Sequence, residues 1–464
     1  MTRMRSTACL VALFALVASD GVQADHHEKS ADPTVEFEKY ALDNGLEIIL
    51  HRDSSVPLVA VNVWYHAGSG DETPGKSGFA HLFEHMLFQG SKNVGADKHF
   101  DTLKNIGATG INGTTNSDRT NYFEVVPSHQ LEAALWIESD RMGHFLPMLT
   151  QDSLDNQIEV VRNERRQNYD NVAYGNTRFA IAAGLYPESH PYRYLTIGKH
   201  EDLAGANLED VKSFYKQWYM PANATLALSG DLDMAGARKL IDKWFGSFPK
   251  TTRPEHTPAK MPSIEHSRTS ITDAQAELRR IDYAWHTPAF FAPGDAEFDI
   301  LANALTSRTG RLYKLLVLDK QLAQSVSAFQ ASKQFSSHFQ VSVTAKTDAD
   351  LGEIEKLLNE ELKKIRAEPI TEREFARVAT QTEAGFVWGL ESVFARSDVL
   401  QRYNHYVGKP NFITGDLDRV RRTTPDKVRD FAARYLTDDV RVEVLTMPPD
   451  KKKAGTANKK GGAR

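Results

Sequence analysis

The chain has 464 residues, with 56 Lys and Arg against 61 Asp and Glu, for a formal charge of −5. That balance lacks the concentrated basic charge that nucleic-acid binding requires, and the length supports a core large enough for two or more domains. A single cysteine excludes a disulfide framework, so packing must hold the fold.

Residues 1–24 are predicted to be a secretory signal peptide. Arg3 and Arg5 give a positive start, residues 8–18 form an apolar run too short to span a bilayer, and Val22-Gln23-Ala24 gives a small-x-small cleavage site. Cys9 lies inside this segment, so the exported chain would carry no cysteine. With no second long apolar stretch, no integral membrane span is expected after cleavage, and the periplasm is the expected destination.

Glu36 to Arg52 reads as a hairpin, because Asn44-Gly45 stands between apolar residues in alternation. Leu58 to Tyr65 is the next strand. A glycine-bearing loop with Glu72 then leads into Gly78-Phe-Ala-His81-Leu-Phe-Glu84-His85-Met-Leu-Phe-Gln-Gly90. Only a helix makes sense of this stretch. Positions i and i+4 lie ~40° apart on one face, so His81 and His85 can hold one ion while Glu84 flanks them. The order is H-x-x-E-H, the reverse of the commoner zinc motif.

Beyond it, Ala96 to Ile106 suggests a helix, Gly107 to Thr114 a glycine-rich turn, and Asp118 to Pro127 a strand with Tyr122, Glu124 and Val126 on one side. Leu131 to Met142 is helical. A second long helix runs from about Ser153 to Tyr169, its buried stripe formed by Leu154, Ile158 and Val161. A third metal ligand must come from elsewhere in the chain. Glu159 and Glu164 both lie on this helix but ~140° apart, so one site can recruit only one of them directly.

Leu208 to Tyr219 is a helix and Ala224 to Ser229 the strand after it. Glu209–Tyr219 with Thr225–Leu228 aligns at one fixed offset with Asp426–Leu436 and Val442–Leu445, which gives a helix, short turn and closing strand twice. Residues 250–265, with three prolines and mixed charge, read as a linker between the two copies. The expected division is therefore a first domain over 25–249, a second over 266–449, and a disordered basic tail over 450–464.

Several stretches resemble the inverzincin metallopeptidases of the pitrilysin and insulinase type, on the branch that includes the mitochondrial processing peptidase. They are Asn44-Gly45-Leu46, Gly68-Ser-Gly-Asp-Glu72, the motif helix with Gly90-Ser91, Asp118-Arg-Thr-Asn-Tyr-Phe-Glu124, Val160-Val-Arg-Asn-Glu164-Arg-Arg, Tyr219-Met-Pro-Ala-Asn-Ala-Thr-Leu226 with Ser229-Gly-Asp231, and Gly310-Arg-Leu-Tyr313. The resemblance implies an α+β fold of two homologous domains, each an antiparallel sheet backed by helices, with two such pairs enclosing a peptide chamber. It implies zinc (Zn2+) held by His81, His85 and Glu164, with a water in the fourth position and Glu84 as general base. Zinc with three protein ligands keeps an open place for such a water.

Gln157, seven residues before Glu164, stands where many relatives have an acid. It and Glu159 are expected to support the ligands rather than bind the metal, with Gln157 leaving its imidazole less basic than a carboxylate would. The stretch Asn112–Glu124 corresponds to the edge where an extended peptide adds as a strand, with Asn112 and Thr115 as the expected contacts. The implied activity is hydrolysis of short or unfolded peptides; a non-catalytic structural or binding subunit of the same fold is the alternative. Active relatives also carry an arginine and a tyrosine seven residues later in the second half. Val317 and Gln324 occupy those places, and Arg396 and Tyr403, though seven apart, read as structural. The expected partner is thus a similar exported chain that lacks H-x-x-E-H and supplies that pair, with a homodimer as the alternative.

Overall fold

The structure is a computed structural model, and it describes residues 32–449; the expected signal peptide, Cys9 and the tail 450–464 lie outside the described residues. The first half opens with strands β1 (Glu38–Ala41), β2 (Glu47–Arg52) and β3 (Leu58–Tyr65) and helices α1 (Phe79–Met86) and α2 (His99–Asn105). Strands β4 (Thr109–Thr115) and β5 (Thr120–Pro127) come next, then helices α3 (Leu131–His144), α4 (Gln151–Arg165), α5 (Gly175–Leu185), α6 (His200–Ala204) and α7 (Leu208–Trp218). Strand β6 (Ala224–Gly230) and helix α8 (Met234–Phe245) complete it. The second half contains β7 (Ser267–Thr272), β8 (Arg280–Thr287), α9 (Asp295–Thr306), β9 (Ala323–Ala331) and β10 (Ser337–Ala345). It ends with α10 (Leu351–Ala367), α11 (Glu372–Trp388), α12 (Val393–Val407), α13 (Ile413–Arg421), α14 (Pro425–Tyr435) and β11 (Val442–Met447).

The chain is α+β, with two sheets backed by helices. The first sheet has the order β1-β2-β6-β3-β5-β4 and the second β7-β11-β8-β10-β9. Both are antiparallel except for one pair each, β2 with β6 and β7 with β11. The repeat explains this exception. Each closing strand follows its helix, inserts between two earlier strands, and runs parallel to one and antiparallel to the other. The two sheets thus have the same order once β1 is set aside. Residues 249–266 carry no regular secondary structure, and we propose the division between the halves there.

Alternation along the strands decides what each sheet face covers. In the first sheet Ile48, Leu50, Val61, Val63, Leu226 and Leu228 pack into one core with α1, α3, α7 and α8. Ile49 and Ala227 point the other way and are covered by Leu400 and Tyr403 of α12, from the second half. The second sheet answers in kind. Its one face packs on α9, α10 and α14, while Ala284, Val442 and Val444 on the other meet Ile181 and Leu185 of α5, from the first half.

The turn expected over Gly107 to Thr114 is instead strand β4, the edge of the first sheet. Gly110, Asn112 and Gly113 have weak strand preference, but the flanking threonines and Ile111 favour a strand, pairing with β5 holds it, and an irregularity falls between Thr109 and Asn112. The helix expected from Ala96 starts at His99. The helix expected to end at Tyr169 keeps α-geometry to Arg165 and then makes a π-turn over Arg166–Asp170. Among the described residues, no helix is long and apolar enough to cross a membrane.

Candidate metal centre

Helix α1 buries Phe79, Leu82, Phe83 and Met86, which leaves His81 and His85 together on its flank toward α4. Its start is fixed from outside. Gly78 takes φ of 91°, and the two carboxylate oxygens of Glu72 accept from Gly78 N at 3.0 Å and Ala80 N at 2.9 Å. An acid at this place satisfies free amides and complements the helix dipole. Opposite, Thr150 and Ser153 cap α4, and its buried stripe of Leu154, Gln157, Ile158 and Val161 seats Glu164 against the two imidazoles.

His81 Nε2 and His85 Nε2 are 3.3 Å apart. Glu164 Oε2 lies 3.6 Å from the first and 3.3 Å from the second. Four ligands at zinc-like distances of about 2.0–2.2 Å in a tetrahedron stand roughly 3.3–3.5 Å from each other, so this triangle has the size of one tetrahedral face. The donor chemistry fits as well, with two nitrogens and one carboxylate oxygen. Burial, reinforced by His85, holds His81 down at about 4, so at neutral pH its ring is unprotonated, the form that could bind a metal. The bond from His85 holds the Glu164 carboxyl below its usual range, against the effect of burial.

Glu84 lies just behind, buried, with Thr115 Oγ1 donating to its Oε2 at 2.6 Å. Burial raises its carboxyl, and the Thr115 bond and His85 partly offset that. His81, Glu84, His85 and Glu164 line one cavity of about 440 Å³ whose wall includes Asn112, Gly113, Thr114 and Thr115 of β4.

Thr115 reaches the site, but its hydroxyl is committed to Glu84. Asn112 lies at the edge with its side chain on the sheet face away from α1, since the pleat turns Gly113 and Thr115 toward Glu84. Gln157 is buried and bonds neither imidazole, and His81 Nδ1 is buried with no partner. Glu159 corrects the expectation that it supports the site. It is 53% exposed and paired with Arg162 and Arg166, because its position on α4 turns it to solvent. Of the pair read as structural, Arg396 bonds Asp53, and Tyr403 is buried with its hydroxyl on Asp416 at 2.8 Å.

Three further residues support the site or its helix. Glu72 anchors α1 and stood in the chain's glycine-bearing loop, but nothing local gave it a role. Asn168 Nδ2 donates to Glu164 Oε1 at 3.3 Å, at the i+4 spacing that could have signalled it. Gly113 leaves room for the base: an added Cβ would stand 3.0 Å from Glu84 Cγ and 3.0 Å from Phe88 Cε2.

Two family models match the chain. One, described as insulinase (peptidase family M16), covers residues 47–182 and so includes both histidines, Glu84 and Glu164; the other, peptidase M16 inactive domain, covers 205–382. The zinc protease PqqE of Helicobacter pylori is 28% identical over 436 residues, 92% of this chain and 95% of that protein. The mitochondrial-processing peptidase subunit beta of Lentinula edodes is 23% identical over 419 residues, 86% of this chain and 87% of that one. A crystal structure of a protease from Helicobacter pylori matches with a TM-score of 0.84 at 25% identity, covering 90% of this chain and 100% of that one. The two models meet the chain in the order of its own repeat, the ligand triangle falls wholly within the first, and the chain therefore belongs to the insulinase-type peptidase family M16, with zinc proteases and a mitochondrial-processing peptidase subunit among its relatives.

Proposed function

We propose that this protein is a zinc-dependent endopeptidase that hydrolyses short or unfolded peptides. The observation that carries the reading is the triangle of His81, His85 and Glu164, with sides of 3.3–3.6 Å, next to a buried carboxylate. A zinc ion held there would polarise the scissile carbonyl and make water nucleophilic at neutral pH. The protein's own part is positional and protonic. Edge strand β4 offers unpaired backbone groups to an extended peptide and lays it across the triangle. Glu84 takes a proton at the oxygen that Thr115 leaves free and returns it to the departing amide nitrogen. Its burial favours a carboxyl able to hold that proton between the two events.

Val317 is half-buried against the second core, and Gln324 is exposed on edge strand β9. Arg396 and Tyr403 sit on α12, behind the first sheet, on the face opposite α1. With no arginine and phenol free at the expected places, a similar exported chain supplying them completes the enzyme in a periplasmic heterodimer.

The test is to assay the purified chain alone and mixed with such a chain, before and after removing metal with ortho-phenanthroline. About one zinc per chain is expected, with activity lost on chelation and restored by zinc. Glu84→Gln should keep the metal and lose hydrolysis. A Glu84→Gln protein that cleaved at the normal rate would end the mechanism, and full activity from the isolated chain would end the heterodimer.

A further inference from the structure

Beside the metal cavity lies a second one, of about 330 Å³, between the start of α5 and the side of β8 and β10 that faces it. The two cavities share a wall. Asn168 lines the second and bonds the metal ligand Glu164. Arg178, also in the second, stacks at 5.5 Å on the ring of Tyr169, which lines the first. A peptide lying across the ligand triangle and running past Asn168 and Tyr169 would therefore bring a residue near the bond to be cut to this cavity.

Its charge is one-sided. Arg178, Arg280 and Lys333 line it, and no Asp or Glu does. Arg280 is neutralised by Asp282 at 2.9 Å, but neither Arg178 nor Lys333 forms an ion pair among the described residues. Lys333 Nζ is held instead over two aromatic rings, Tyr192 at 4.8 Å and Tyr186 at 5.5 Å. Burial draws its ammonium down to about 8, against the pull of the nearby Asp118 carboxylate, which forms no ion pair with it. On the same floor His338 Nδ1 is buried with no hydrogen-bond partner. Arg178 is exposed, but Lys333 is partly buried, and a cation taken out of water is costly unless something anionic joins it.

The wall is also rigidly built. Tyr174 holds φ of 66° without being glycine, its N–H donating to Asp273 at 2.7 Å and its hydroxyl to Leu278 O at 2.9 Å. Backbone strain persists only where surroundings enforce it. Tyr174 and, across the cavity, Phe329 offer apolar surface for the stem of an acidic side chain.

We infer that this cavity is a subsite for a carboxylate of the bound peptide, an acidic side chain near the scissile bond or a free C-terminus, with Arg178 and Lys333 as counter-charges. The inference rests on the peptidase reading and adds to it a substrate preference.

The test uses the zinc-loaded full chain, with its partner where activity requires one, and quenched fluorescent decapeptides carrying Glu, Gln or Lys at one position at a time, with free or amidated C-termini. At one position near the cut, Glu should exceed Gln in kcat/KM by about tenfold or more, and Lys should be slowest. Lys333→Gln should shrink that ratio, Arg178→Lys should keep it, and Arg178→Glu should turn the preference toward Lys. A preference for the free C-terminus alone assigns the cavity to the chain end. Equal rates for all peptides, or a Glu preference that none of these substitutions moves, overturns the subsite. Binding of the same peptides to Glu84→Gln protein, read by fluorescence anisotropy, separates the two failures. Tighter binding of Glu peptides without any cleavage by the unmutated protein sinks the peptidase reading and keeps the subsite; cleavage without preference does the reverse.

Discussion

At Gly113 the base and the strand that would carry substrate come closest. A methyl group there would meet Glu84 Cγ and Phe88 Cε2 at 3.0 Å, and neither can withdraw easily, Glu84 being tied to Thr115 and Phe88 stacked on Phe100 at 4.7 Å. Gly113→Ala is therefore expected to push the carboxylate off its place while leaving the ligand triangle intact. Displacements of about 1 Å at such a group can cost up to a hundredfold, so kcat/KM should fall by roughly ten- to a hundredfold with zinc content unchanged. Gly385→Ala is the control: its Cβ would enter open space on α11, and activity should stay at the normal rate. Equal activity in both variants would remove Gly113 from the site. The two histidines and Glu84 were legible in the sequence because five consecutive residues of one helix contain their geometry. Gly113 was not, because its reason lies on another element, and a glycine-rich stretch reads locally as a turn.

Among the elements, α1 depends on a group outside itself. Both oxygens of Glu72 bond amides at its start, and both imidazoles ride on it. Glu72→Ala should cost about 1–3 kcal/mol through the unsatisfied donors and weaken zinc binding, while Glu72→Gln, with one acceptor oxygen left, should do less. Urea unfolding and zinc titration measure the two effects, and an unchanged zinc affinity in Glu72→Ala would show that α1 is held by packing alone. A comparable device pins the second half. Arg311 grips Glu374 with Nε at 2.8 Å and Nη2 at 2.7 Å, and Glu374 also accepts from Thr371 in the box that starts α11. The Arg311 bonds hold the Glu374 carboxyl down at about 2, from an ordinary value of 4.5. A depressed carboxyl stabilises the fold above its unfolded pKa and loses that contribution as pH falls through the folded one. Stability should thus decline between about pH 4.5 and 2, and Glu374→Gln should flatten that part of the curve. An acid-unfolding profile unchanged by the substitution would count against the latch. Arg311 stood in a motif quoted for family likeness, yet only the structure gives it this partner, since nothing in a helix start names what will reach it from another segment.

For the whole molecule, the exchange of α5 and α12 is the feature with the widest consequence. The repeat in the sequence was readable because helix, turn and closing strand recur at one offset, and it suggested two similar halves, each a sheet backed by helices. The helix that covers each sheet's second face comes from the other half, however, and an amphipathic pattern does not say which sheet it will meet. Gln401 Nε2 donates to Asn62 O at 2.9 Å and to Thr225 O at 2.7 Å, so α12 closes on the backbone of β3 and β6 as well as on their side chains. Leu400, fully buried against Ile49 and Ala227, is the central contact. Truncating a buried leucine costs about 2–5 kcal/mol. Were the halves independent, Leu400→Ala would open only elements touching α12. With the helices exchanged, the loss should spread through both sheets as one cooperative unit. Hydrogen exchange followed by mass spectrometry is expected to show peptides from β3 and β6 and peptides from β8 and β10 losing protection together and by the same free energy. Loss confined to the first sheet, or two separate unfolding transitions, would mean that the halves fold on their own and that the exchange is only a docking contact.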